Sequence, residues 1–279
     1  MKKHLGLLAA AGLFPLALCF AEFAAAQEQS AGVTSPPKVL IISNETLKPG
    51  VSPSTHKKTE AAFVQAFSAA KWPEHYMAMD ALSGRDRTIF VYGYDCFDSW
   101  QKDLAATAKE PTLSAALDSA IAADGALLES HELSAFTYRP DLSLRAPVDL
   151  AHMRYMDITI FHVRSGHNEQ FDALAKMYID AYQKKPDVHW AAFEKMYGVE
   201  SGNRFIVITP RKSLAEVDQE MVDDKGFASA VGPDQMKKLQ ELTAAAVEST
   251  ESHVFQINPK MSYAPEAMVK ADPEFWTQK

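Results

Sequence analysis

Apolar residues recur along this chain in two rhythms. Phe63, Val64, Ala66 and Phe67 stand at the spacing of a buried helical stripe, and Tyr178, Ile179, Ala181 and Tyr182 repeat that spacing. Between and beyond them lie short runs rich in Val, Ile, Phe and Tyr, bounded by Pro, Gly and Ser as strands are. The pattern predicts strands near 38–46, 75–82, 87–94 and 132–138, with helices near 55–71 and 97–129, the second broken around Pro111. It then predicts strands near 155–163, 188–197, 204–209 and 251–257, with helices near 168–184 and 213–248. Pro73 and Pro186 end the first helix of each set, and Ser213 with Glu216 has the spacing of a capping box.

The two sets are copies of one unit. Glu129, Ser130, Phe136, Pro140 and Ser143 recur as Glu248, Ser249, Phe255, Pro259 and Ser262 at a constant spacing of 119 positions. Upstream, Leu47-Lys48-Pro49-Gly50 matches Val163-Arg164-Ser165-Gly166, and the hairpin signal Ser83-Gly84 matches Ser201-Gly202. The element order is that of a split βαβ unit, so the expected class is α+β: two tandem ferredoxin-like (βαββαβ) repeats. Their strands are apolar at both parities, as in Val39-Leu40-Ile41-Ile42 and Phe205-Ile206-Val207-Ile208. A sheet apolar on both faces must cover the second one, and the other copy is the nearest cover, which predicts a two-sheet barrel within one chain. The expected divisions are a first repeat over 38–150 and a second over 151–279 with a C-terminal tail. The connection 140–154 packs with them, because its Ala146-Pro147 recurs as Ala264-Pro265.

This layout resembles the dimeric α/β-barrel superfamily, which includes antibiotic-biosynthesis-type monooxygenases, NIPSNAP-like proteins, stress-responsive barrel proteins and haem-handling chlorite-dismutase-like proteins. The resemblance covers about residues 38–258 and rests on element order, tandem duplication and the Leu47–Gly50 turn. It implies a ligand held between sheet and helices or inside the barrel, and in some relatives oxygenation with haem or without any cofactor.

Residues 1–26 carry Lys2 and Lys3, an apolar run from Leu5 to Phe20 and Ala24-Ala25-Ala26, the plan of a secretory signal peptide. The expected location is therefore periplasmic or secreted, with 27–37, rich in Gln, Ser and Pro, as a disordered leader. At 47% hydrophobic and 23% charged residues, the chain as a whole has the composition of a packed globular protein. Its 28 basic residues against 36 acidic ones give a net charge of −8, which argues against a nucleic-acid partner. With Cys19 in the signal segment, Cys96 is left alone, so no internal disulfide is expected; Cys96 is expected to be buried.

The most suggestive chemistry is a hexad in the second strand of each copy. His75-Tyr76-Met77-Ala78-Met79-Asp80 matches His189-Trp190-Ala191-Ala192-Phe193-Glu194. Strand periodicity puts the aromatic, the alanine and the acid on one face and the histidine on the other. A small residue between a ring and a carboxylate leaves a notch suited to a ligand; the competing reading is a packing solution kept through duplication. Asp80 and Glu194 are the candidate general bases, with Tyr76, Trp190, His75, His189, Tyr92 and His162 as candidate ligand contacts. His162 and His167 flank the Gly166 turn and could converge with His189 on a metal, but no Cys or acid stands at ligand spacing, so no metal is assigned. No P-loop, dinucleotide fingerprint, nucleophile elbow or C-x-x-C-H occurs, which excludes covalent haem, leaves non-covalent haem open and names no cofactor. Three functions follow: a binder of a small apolar or aromatic molecule, an oxygenase- or isomerase-like enzyme on such a molecule, and a protein-interaction module with filled cavities.

Overall fold

The computed structural model describes residues 33–199 and 202–278. The signal segment, the leader as far as residue 32 and Ser201 of the second hairpin lie outside the described residues. In the first copy β1 (Val39–Leu47), α1 (Pro53–Ala70), β2 (Tyr76–Ala81), β3 (Arg87–Tyr94), α2 (Phe97–Thr107), α3 (Pro111–Gly125) and β4 (Leu128–Tyr138) follow in order. The second repeats them as β5 (Tyr155–Val163), α4 (Asn168–Tyr182), β6 (Ala191–Tyr197), β7 (Asn203–Arg211), α5 (Ala215–Val231), α6 (Pro233–Ala246) and β8 (Val247–Tyr263), with α7 (Glu266–Ala271) and α8 (Pro273–Trp276) after them.

Local chemistry sets the helix ends. Ser52 caps α1 by accepting from the Thr55 amide at 3.2 Å, Pro53 opens it, and Lys71 closes it in the left-handed region. Pro111 divides α2 from α3, and Gly232-Pro233 divides α5 from α6, where one helical region was expected. The capping box at Ser213 is shifted: α5 begins at Ala215, and the Glu216 carboxylate accepts from the Lys212 amide at 3.2 Å. Cys96 is exposed where burial was expected, because it caps α2 beside Ser99.

The strands close into an antiparallel barrel in the order β1-β3-β2-β8-β5-β7-β6-β4. Each copy contributes a four-stranded sheet ordered fourth, first, third, second, and the seams are β2 with β8 and β6 with β4. The architecture is thus the expected α+β one, an intramolecular dimeric α/β barrel. β8 runs to 17 residues, well past the expected 251–257, because its first half pairs with β5 and its second crosses the seam to β2.

Inward residues of both sheets form the core, with Leu40, Met79, Ile89, Phe136, Ile158, Phe193, Ile206, Phe255 and Ile257 all buried. Phe136 and Phe255, partners in the repeat, meet in it. The outward faces lie under the helices. One barrel end is polar, around Arg87, Glu132, Arg204, Glu251 and His253. The other is covered by α7, α8 and the last leader residues. Residues 33–37 are ordered here, against the expected disorder, because Thr34 and Val148 exchange backbone hydrogen bonds of 2.7 and 3.1 Å. Gly93 lets that segment approach: a Cβ there would meet the Pro37 Cβ at 2.9 Å.

Candidate functional site

The duplicated hexad lies along the two seams. Tyr76, Ala78 and Asp80 face the helices, while Met77 and Met79 face the core; Trp190, Ala192 and Glu194 repeat that orientation. Each alanine amide donates to a serine of the other copy, Ala78 to Ser262 Oγ and Ala192 to Ser143 Oγ, both at 2.9 Å. Each serine hydroxyl in turn donates at 2.7 Å to a carbonyl four residues back, of Asn258 or Arg139. The acids are matched as well: Asn258 donates to Asp80 at 2.6 Å, and Arg139 to Glu194 at 2.8 Å. Much of the motif's recurrence is therefore the chemistry that joins two sheets.

The notch has separate fates in the two copies. In the first it is filled: Tyr76 packs among Phe67, Phe90 and Tyr92, with ring centroids 5.2–6.0 Å apart, and Met261 is buried alongside. Burial holds the Tyr76 and Tyr92 hydroxyls well above their ordinary pKa. In the second copy the same space is a cavity of about 320 Å³ between β5, β6 and β7 on one side and α4 and α5 on the other. Phe161, Phe171, Phe205, Tyr182 and Trp190 wall it, and Ala175 and Ala192 leave its room. The rings support one another, with Phe171 4.4 Å from Phe205 and Tyr182 edge-on to Trp190 at 6.0 Å. Trp190 is fixed by its indole N–H, which donates to the Leu142 carbonyl at 2.9 Å.

Arg211 supplies the charge at this cavity. It is 4% exposed and donates to both Glu220 oxygens at 2.8 and 2.7 Å and to Asp157 at 3.0 Å. Burial alone would lower its pKa, but the bonds to Glu220 and Asp157 outweigh it and hold the guanidinium charged. Its buried Nε has no hydrogen-bond partner. A largely apolar aromatic molecule fits such a wall, with the Arg211 ion pairs at its polar border.

The remaining candidates are dispersed. His189 lines the cavity, but its ring nitrogens lie 3.0 and 2.9 Å from the Asp187 and Pro210 carbonyls. That leaves neither nitrogen to ligate iron, so this donor set does not fit a haem held through His189. His75 stacks on Tyr263 at 4.5 Å and bonds its carbonyl, and burial lowers its pKa. It borders a second cavity, of about 400 Å³, at the covered barrel end among Met77, Met79, Met156 and Phe193. That cavity is more apolar and has no buried charge to orient an occupant. His162 pairs with Glu251 at 3.1 Å near the polar end. It lies about 20 Å of strand from His189, so the two histidines do not converge on a common ion. Neither acid of the hexad lines the second-copy cavity.

One group is not marked by any repeated pattern along the chain. Glu45 on β1, His56 and Glu60 on α1, and Asp124 on α3 place their ligand atoms within 4.8 Å of one another. Burial pushes the Glu60 carboxyl up to about 10, and the Glu45 and Asp124 carboxylates add to the shift. The available signal was His56 and Glu60, four residues apart on the stripe that carries Phe171 and Ala175 in the second copy.

No protein-family profile and no curated protein sequence matches the chain. Solved structures do. An anthrone oxidase-like protein aligns with a TM-score of 0.53 and 15% identity, over 81% of this chain and 94% of that one. A protein of Fusobacterium nucleatum subsp. nucleatum described as a monooxygenase gives 0.51 and 10%, over 80% and 94%. A mutant chlorite dismutase from Candidatus Nitrospira defluvii gives 0.48 and 10%, over 85% and 96%. At these identities the likeness is one of fold, that of dimeric α+β barrel proteins. Among the described residues, no helix is long and apolar enough to cross a membrane.

Proposed function

We propose that the protein binds a small, largely apolar aromatic molecule in the cavity of its second repeat. The observation that carries this reading is the divergence of the copies: one notch packed shut by rings, the other a walled space of about 320 Å³ with a buried, charged Arg211 beside it. That volume suits a small ligand, at the low end of ordinary binding cavities. Phe161, Phe171, Phe205, Tyr182 and Trp190 supply the stacking surface, and Arg211 with its carboxylate partners the polar border. Export by the N-terminal segment and kinship with the tandem NIPSNAP-like proteins belong to the same proposal and rest on the sequence alone. Native mass spectrometry and an absorption spectrum of protein purified without denaturant test it. A retained small molecule supports the reading; no retained mass, together with no saturable uptake of added 2-naphthol, sinks it.

An oxygenase- or isomerase-like activity is the second reading, favoured by the oxidase-like and monooxygenase descriptions of the fold neighbours. In it Asp80 or Glu194 acts as base, with Tyr76, Tyr92 or Trp190 holding the substrate. Both acids are engaged, Asp80 by Thr88 and Asn258 and Glu194 by Arg139, so a base role requires one of those bonds to open. Loss of turnover with binding retained in Asp80→Asn or Glu194→Gln supports this reading; unchanged turnover in both removes it.

A further inference from the structure

We propose that Glu45, His56, Glu60 and Asp124 form a binding site for one divalent first-row transition cation, buried between β1 and the α1–α3 pair of the first repeat. These residues hold telling positions in the duplication. The helix stripe aligns His56 with Phe171 and Glu60 with Ala175, and the first strand aligns Glu45 with Phe161. Strand pairing agrees, since Glu45 faces Thr88 across the sheet where Phe161 faces Phe205. The fold therefore fills this space in two ways, with three phenylalanines in ring contact in one copy and with Glu45, His56 and Thr88 in the other. Replacing buried ionic groups by packed apolar ones is often neutral or stabilising, so packing alone gives no reason for a histidine and three acids here.

The geometry is that of a ligand set. His56 Nε2 lies 3.2 Å from Glu45 Oε2, 3.5 Å from Asp124 Oδ1 and 3.8 Å from Glu60 Oε1. Ligand atoms about 2.1 Å from a common tetrahedral ion stand roughly 3.4 Å apart, the middle of that range. His56 is 2% exposed and Glu60 3%, and Glu60 Oε1 is a buried oxygen with no hydrogen-bond partner, directed into the cluster. A cation would meet that oxygen's need and offset the negative charge gathered around it.

The surroundings orient the histidine ring. Thr88 spends its hydroxyl proton on Asp80 Oδ1 at 2.8 Å, so its oxygen is left to accept from His56 Nδ1, 3.5 Å away. His56 Nε2, 3.2 Å from Glu45 Oε2, faces the carboxylates, and with Nδ1 turned to Thr88 it is the nitrogen a cation would take. Asp80 and Thr88 are thus positioning residues for His56. Glu45, whose side chain is 12% exposed, is the edge through which an ion enters from solvent. One imidazole with three carboxylates suits Mn²⁺, Fe²⁺ or Zn²⁺ rather than a soft, thiolate-seeking ion.

The test uses the full chain, stripped with EDTA and titrated with MnCl2 and with ZnCl2 by calorimetry, with histidine ring resonances followed during the Mn²⁺ titration. The expected result is one saturable equivalent and selective broadening of the His56 resonances. His56→Gln and Glu60→Gln should each weaken binding about 100-fold or more, and Thr88→Val about 10-fold. No saturable equivalent in the wild type overturns the proposal, with no need for a variant to fold. So does wild-type affinity in a folded His56→Gln, or broadening of His162 and His253 in place of His56.

Discussion

Single residues carry the contrast between what order along the chain reveals and what folding adds. Trp190 and His189 stand out in the sequence because a hexad repeats. Arg211 does not, because it matters only through Asp157, 54 positions away, and Glu220, which joins it only once α5 has folded back. His75 gives a prediction at this scale. Burial against Tyr263 lowers its pKa below the ordinary 6.5, so as the pH falls through 6.5 the unfolded chain takes up a proton that the folded ring still refuses. His75 therefore contributes stability above that pH and loses it below. Urea denaturation at pH 7.5 and pH 5 should show stability falling with acidification, and His75→Phe, which keeps the stacking, should fall less. Equal losses in the two proteins would show that His75 titrates normally.

At the scale of elements, strands and helices were legible from periodicity because each has one face that must be buried. The places where the reading failed have definite causes: β8 is long because it serves two sheets, and the second helical region is cut at Gly232-Pro233. The seams themselves were invisible, since Ser143 and Ser262 show only as a recurring pair until each is seen bonding the opposite copy. Their equivalence predicts equal and independent effects. Ser143→Ala and Ser262→Ala each leave a buried strand amide without its acceptor and should cost about 1–2 kcal/mol in chemical denaturation. Because the seams are separate, the double variant should lose the sum to within about 0.5 kcal/mol. A double variant no weaker than either single one would mean that only one seam holds the barrel closed.

For the whole molecule, duplication specified the barrel: two sheets apolar on both faces have one economical way to cover themselves. Duplication did not specify which copy would keep an empty space. That depends on volumes summed from distant positions, with Glu60 and the rings around Tyr76 filling one half and Ala175 leaving room in the other. The same comparison indicates how to close the cavity without breaking the fold, because the first copy already carries a larger side chain at the position of Ala175. Ala175→Leu should raise stability by about 0.5–2 kcal/mol, as cavity filling commonly does. The most direct test of the account is to titrate wild type and Ala175→Leu with 2-naphthol by calorimetry. Saturable binding in the wild type, lost in a variant of equal or higher stability, is the predicted result; equal binding in both would place the ligand elsewhere and contradict it.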